Sequence, residues 1–370
     1  AGERELARES LERVVAADPE GPWGTRAAEL LAGRSFEERS WASLQAGLEY
    51  DSNVVLLGEA VPTPLGISDR ADGRAVWFLE GGVELFRTHR WSGGVAASYA
   101  GNVQFELEDF DIQYPRASAW LDFDVNPDNL LRLRYGGGHA WVDYTSFLWS
   151  QDATLSGFHN WGTAGNTELG LGWLWNDYTF FIVPVPNGAG PPGSPCAAGL
   201  GILPCAPPGV NSQAARNRDG NSLRPFLLHR YRVRSIDGEA LRDVELRAGY
   251  GFERYWAEGT DWDYSGHDFV IGAEALLLFG IELDSQLGFS YRPFTYPSSY
   301  PAPPTPANVV YALSPVPRED RVTIVGVSLE KPLDEHWSVS TRYFYTRSDS
   351  TVVVFDYARH VVGAYLKYEF

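Results

Sequence analysis

The sequence predicts an all-β protein, a transmembrane antiparallel up-and-down β-barrel of about fourteen strands preceded by a short α-helical segment. Three observations lead there. Stretch after stretch alternates strictly between apolar and polar or small residues, as a strand does when one face meets an apolar medium and the other meets water. Although 44% of the 370 residues are hydrophobic, no run approaches the roughly 18 apolar residues that a membrane helix needs. Aromatics reach 14%, with 13 Trp and 19 Tyr beside 38 Gly, a bias that suits a barrel whose aromatics sit at both membrane interfaces.

The last stretch, RHVVGAYLKYEF, is the clearest strand. Val362, Ala364, Leu366, Tyr368 and Phe370 share one face, while Val361, Gly363, Tyr365, Lys367 and Glu369 share the other. A final strand that stops on phenylalanine resembles the terminal strand of bacterial outer-membrane barrels, whose last aromatic is read by the assembly machinery. On that resemblance Tyr368 and Phe370 form the assembly signal.

Residues 1–38 differ from the rest. Leu6, Leu11, Val14 and Val15, an Asp18-Pro19 break, then Ala27, Ala28, Leu30 and Leu31 have helical spacing. Two helices around such a turn resemble one tetratricopeptide repeat, and a single repeat cannot bury its own face. Either more repeats precede Ala1, or this helix pair docks on the barrel or on a periplasmic partner; a plain helical hairpin without repeat ancestry fits the spacing equally, and residues 39–370 are expected to form the barrel. The chain starts at Ala1 without Met or an apolar leader, which reads as a processed protein or part of a longer one.

From Trp41 onward the strands follow in order. WASLQAGLEY sets Leu44, Ala46, Leu48 and Tyr50 against Ser43, Gln45 and Glu49. AVWFLEGGVELF, WSGGVAASYAG, ASAWLDFDV and LLRLRYGG come next, with an Asn126-Pro127 turn of the kind those residues favour. TELGLGWLW, an Asn176-Asp177 turn and YTFFIVPV follow, then a loop from about Pro186 to Asn221. PFLLHRYRVRS, DVELRAGYGF, DFVIGAEALLLF, IELDSQLGFSYR, RVTIVGVSLE, WSVSTRYFYT and the terminal strand complete the set. Short turns at His89, Pro127, Asn176, Asp237, Gly280 and Asp334 are expected to alternate with long loops, the asymmetry of outer-membrane barrels. Both termini then fall on the short-turn, periplasmic side. Trp41, Trp91, Trp175 and Trp337 are expected beside that end, as an interfacial girdle.

Charges on one face of such strands destabilise toward lipid and must point inward. The lumen-facing set is Glu80, Glu84, Asp122, Asp124, Arg132, Arg134, Arg230, Arg232, Arg234, Asp243, Glu245, Arg247, Glu282 and Asp284. Two readings stand: cross-strand ion pairs that stiffen the wall, or a permeation path with opposed acidic and basic walls. About fourteen strands enclose more room than the side-chain-filled eight-stranded barrel and less than a 16-stranded porin.

A net charge of −18 excludes a nucleic-acid partner, whose phosphates require a basic surface. Cys196 and Cys205 share one Pro/Gly-rich loop and read as a local disulfide of an oxidising compartment. Asp261, Asp263, Ser265 and Asp268 resemble the first half of a calcium loop, but Gly272 stands where the bidentate acid belongs, so no metal is assigned. The seven His form no zinc motif, and Ser156 with His159 lacks an orienting acid. Neither an enzyme nor a cofactor is expected.

The helical segment, LQAGLEYDSNV at the first strand and STRYFYTRSDSTVVVFDYARHVVGAYLKYEF at the end together resemble the tetratricopeptide-barrel outer-membrane proteins that include the surface lipoprotein assembly modifiers. The matching residues are Tyr50 to Val54 at the first strand, then Ser350, Phe355, Tyr357, Arg359 and Phe370. This sequence departs from the family's multi-repeat array by holding at most one repeat. The resemblance implies export or assembly of surface components with a periplasmic partner on residues 1–38. The alternatives are a passive channel for small polar solutes and a sealed structural anchor of an envelope complex.

Overall fold

A computed structural model describes residues 10–16, 27, 40–56, 58, 69–179, 215–233, 241–298 and 317–370. Its strands are β1 (Ser40–Asp51), β2 (Asp72–Arg87), β3 (Trp91–Gln104), β4 (Ile112–Asn126), β5 (Asn129–Val142), β6 (Thr145–Asn160) and β7 (Asn166–Tyr178). They continue as β8 (Gly220–Arg232), β9 (Leu241–Ala257), β10 (Tyr264–Leu277), β11 (Glu282–Pro297), β12 (Pro317–Pro332), β13 (Trp337–Ser350) and β14 (Tyr357–Glu369). Each pairs antiparallel with its sequence neighbours, and β14 returns to β1, so the sheet closes into a barrel. Closure removes both sheet edges and pairs the backbone around the ring, which hydrocarbon surroundings demand.

Register carries one apolar face around the ring, because residues opposite one another share a face. Leu44 lies opposite Leu79, Leu121 opposite Leu133, Leu133 opposite Leu155 and Leu155 opposite Leu171. Phe269 lies opposite both Tyr250 and Phe289. These side chains point outward: Leu48 is 62% exposed, Leu169 64% and Ile271 56%. Each leucine left in water forgoes roughly 2 kcal/mol of burial. A continuous outer belt of them fits lipid and not water. Among the described residues no helix is long and apolar enough to cross a membrane.

One barrel end carries the connections 88–90, 127–128, 161–165, 233–240, 278–281 and 333–336. The other carries 52–71, 105–111, 143–144, 179–219, 258–263, 298–316 and 351–356. β1 starts and β14 finishes at the first end. The expected strict alternation of short and long fails at 143–144. There Asp143 (φ 48) and Tyr144 (φ 56) are both left-handed, the backbone of a tight two-residue hairpin whose twist matches its strands.

The strand count of fourteen agrees with the sequence reading, but through two errors that offset. Residues 145–160 form β6, which the sequence reading omits. YTFFIVPV is read as a strand, yet Tyr178 ends β7 and β7 is hydrogen-bonded directly to β8, with no strand between them in the sheet. Asn176 accordingly lies within β7, paired with Ser150 and Gly220, and is not a turn. Trp175 therefore sits toward the long-loop end, while Trp41, Trp91 and Trp337 do begin strands at the short-turn end. Residues 10–16 are helical, as is Ala27; a tetratricopeptide repeat over 1–38 lies largely outside the described residues.

Candidate functional site

The two motifs that mark the first and last strands meet at the closing seam. Asp51, fully buried, accepts from Arg359 Nε at 3.0 and 3.1 Å. Arg74 Nη1 approaches the same carboxylate at 3.3 Å. The Ser52 N–H donates to the His360 carbonyl at 2.9 Å, and the His360 N–H returns a bond to Ser52 Oγ at 2.8 Å. Asn53 Nδ2 reaches the Ala358 carbonyl at 3.2 Å. Deeper in the lumen, Glu49 accepts from Arg74 Nε at 2.7 Å and from the Tyr365 hydroxyl at 2.5 Å. These residues tie β1 to β14 from inside.

Most of the expected lumen charges do face inward, and many pair across strands. Arg132 grips Asp122 through Nε (2.7 Å) and Nη2 (2.8 Å). Arg247 bridges Asp284 (2.7 Å) on β11 and Glu274 (2.6 Å) on β10. Arg230 lies 3.9 Å from Glu245, Glu84 holds Arg87, and Glu80 accepts from Ser43 Oγ at 3.2 Å. Cross-strand ion pairs are thus present in the wall. Arg134, Arg232, Asp124 and Glu282 carry neither an ion pair nor a side-chain hydrogen bond among the described residues. Asp243 is the exception to the inward set: its φ of 50 interrupts the alternation where the β9–β10 register shifts. Arg234 lies outside the described residues.

The lumen wall is reached by solvent. Side-chain exposure is 44% for Arg132, 51% for Arg224, 45% for Asp284 and 49% for Glu274. An eight-stranded barrel packs such positions solid.

At the long-loop end, the segment 258–263 folds inward over the lumen. It carries Trp262, whose Nε1 donates to the Arg216 carbonyl at 3.1 Å. The Arg218 guanidinium stands 3.9 Å from the indole and that of Arg318 5.2 Å. Arg318 also lies 3.4 Å from the Phe355 ring and 4.3 Å from Phe294, while Asp320 neutralises it. The cluster joins residues from three connections and two strands, and no local sequence pattern announces it. The Arg116–Asp152 pair was missed because Asp152 belongs to the unrecognised β6.

Other expectations resolve differently. The acids of the calcium-like loop are engaged by cations: Asp263 by Arg254 at 2.7 Å, Asp268 by Arg224 at 3.4 Å. Among the described residues no group of His, Cys, Asp and Glu could hold a metal ion. Ser156 and His159 point to opposite faces; Ser156 donates to Glu168 in the lumen and His159 bonds Asn129. Cys196 and Cys205 lie outside the described residues. Tyr368 lies tilted against Trp337 (4.7 Å) and meets Phe370 edge-on (4.6 Å) on the outer rim of the short-turn end.

A closed antiparallel barrel with an outer apolar belt and a charged, solvent-reached interior defines a transmembrane β-barrel. No family model matches the sequence, and no curated protein matches it. Among solved structures, a bacterial polysaccharide outer membrane secretin is 11% identical, with TM-score 0.43 over 89% of this chain and 97% of its own. An outer membrane channel from Pseudomonas putida F1 is 10% identical (TM-score 0.41, 90% and 95% covered). An anion-selective porin from Comamonas acidovorans is 7% identical (TM-score 0.41, 90% and 98% covered).

Proposed function

We propose that the chain is a channel of the bacterial outer membrane that passes small polar solutes. The supporting observation is the solvent-reached lumen, where paired charges form the wall and Arg134 and Arg232 have no ion-pair partner among the described residues. An even-stranded barrel whose longer connections gather at one end supports the placement, with the short-turn end toward the periplasm. Export or assembly of surface components, the reading that follows from the tetratricopeptide-barrel resemblance, rests on residues 1–38 and the seam motifs.

Conductance of the intact chain in a planar bilayer is the test. A steady current supports the channel. No current in the intact chain, but current once residues 1–38 are removed, replaces it with a partner-gated export barrel. Silence in both leaves a sealed anchor.

A further inference from the structure

Three neighbouring strands build a furrow on the lumen wall. Gly249 and Gly251 on β9 bring no side chains to it. Gly251 lies opposite Phe226 on β8 and Asp268 on β10, and Gly249 lies opposite Leu228 and Val270. Side chains of β8 and β10 therefore wall a strip floored by backbone. The space they bound is a cavity of about 370 Å³, within the range of small-molecule sites.

The two ends of the furrow differ in chemistry. A Cβ at Gly249 would come within 2.9 Å of Val270 and 3.1 Å of Leu228, so these side chains meet over the glycine and make that end apolar. At the other end a Cβ on Gly251 would stand 3.3 Å from Arg224 Nε and 3.6 Å from Nη2. The guanidinium thus lies over Gly251, beside Asp268.

Arg224 Nη2 is 3.4 Å from Asp268 Oδ2, longer than a charge-assisted hydrogen bond. Arg224 donates no side-chain hydrogen bond among the described residues, and its side chain is 51% exposed. Asp268 Oδ1 accepts from Ser290 Oγ at 2.5 Å, with Arg292 4.0 Å away. The guanidinium and Oδ2 therefore keep hydrogen-bonding capacity. They are the only charged groups lining the cavity among the described residues, so this end is dipolar. A monoanion gains Arg224 but meets Asp268, and a monocation gains Asp268 but meets Arg224 and Arg292. A ligand carrying both charges on one carbon sets each against its opposite and leaves none unpaired.

We propose that the furrow binds zwitterionic α-amino acids with apolar side chains, the carboxylate on Arg224, the ammonium on Asp268 Oδ2 and the side chain on Leu228 and Val270. The inference rests on the channel reading and deepens it, since it names a solute class that the lumen would select.

The test is calorimetric titration of the full chain in detergent at pH 7 with leucine, 4-methylpentanoate, 3-methylbutylamine and glycine. The second lacks leucine's ammonium, the third its carboxylate and glycine its side chain. Leucine should bind tightest and each of the others at least about tenfold more weakly, because each gives up a charge-assisted hydrogen bond or the apolar contact. Asp268→Asn should reverse the order of leucine and 4-methylpentanoate, since Arg224 then offers a positive charge without its partner. Loss of fold cannot produce such a reversal. Either singly charged analogue, or glycine, binding as tightly as leucine overturns the proposal with the unaltered protein alone. So does the absence of leucine binding, or an unchanged order in an Asp268→Asn chain that still binds. Conductance without any amino acid reports separately on the channel. Current with no leucine binding sinks the site and spares the channel, whereas binding with no current does the reverse.

Discussion

Asp51 on β1 and Arg359 on β14 form a hydrogen-bonded ion pair across the line where the barrel closes, with Nε at 3.0 and 3.1 Å from the two carboxylate oxygens. Asp51 is fully buried and Arg74 supports it from β2. The pair joins residues 308 positions apart, so it can form only when the last strand finds the first.

Removing one partner of such a pair leaves the other buried without its counter-charge, at a cost of about 3 kcal/mol. Asp51→Asn should therefore lower unfolding stability by about that amount in detergent, read from the urea midpoint. Arg359→Met should do less damage, because its loss leaves Asp51 with Arg74. Equal midpoints for Asp51→Asn and the unaltered protein would show that backbone pairing alone holds the seam.

Gly47 tests the same seam from the packing side. Tyr365 lies across it, and a Cβ at Gly47 would come within 2.5 Å of both the Ala364 carbonyl oxygen and Tyr365 Cδ1. The carbonyl is backbone and cannot rotate away, while the ring is tethered by its bond to Glu49. Gly47→Ala should cost about 1–3 kcal/mol, the usual penalty of overpacking. Gly162, where nothing lies within 4 Å but φ is 63, serves as the contrast: alanine there strains only the turn.

What the sequence revealed follows from how locally each feature is encoded. The outer belt was legible because alternation is a two-residue signal, and β14 shows it without interruption. β6 was not, because its outward face carries Gln151 and Ala153 among its apolar residues. Gln151 tolerates that face because the Tyr135 hydroxyl donates to it at 2.7 Å, a partner on another strand. The inward set was recoverable for Asp122, Arg132, Arg247 and Asp284, but not the identity of their partners, which register decides. The mouth cluster was invisible, since Arg218, Trp262, Arg318 and Phe355 come together only after closure.

The β12–β13 turn gives a pH dependence with a definite sign. Asp334 Oδ1 accepts the backbone N–H groups of His336 and Trp337, each at 2.8 Å. These bonds favour the carboxylate and hold its pKa below the ordinary 3.8. A lowered folded value means the turn is stabilised above the unfolded pKa, and the stabilisation disappears as pH falls through the folded one. Asp334→Ala should thus destabilise the protein modestly at pH 7 and be indistinguishable from the unaltered chain at pH 2, by unfolding midpoints. A difference that persists undiminished at pH 2 would assign the turn's stability to something other than this carboxylate.

Trp262 tests whether the mouth segment narrows the lumen. Its indole sits between the Arg218 and Arg318 guanidiniums, with Phe355 edge-on at 5.7 Å. Each cation–π contact contributes about 0.5–2 kcal/mol, more when desolvated. Arg318 does not depend on Trp262: Asp320 holds it, and Ser350 Oγ in turn donates to Asp320 at 2.7 Å. Trp262→Ala therefore releases 258–263 while leaving the strand ends intact, and Trp262→Phe retains a ring for both arginines but loses the bond to the Arg216 carbonyl. If the inward fold restricts the path, single-channel conductance should rise in Trp262→Ala and rise less in Trp262→Phe. Protease cleavage within 258–263 should follow the same order. Cleavage that rises without any change in current would mean the segment opens but does not bound the conducting path, and the restriction would then lie deeper, among the lumen arginines.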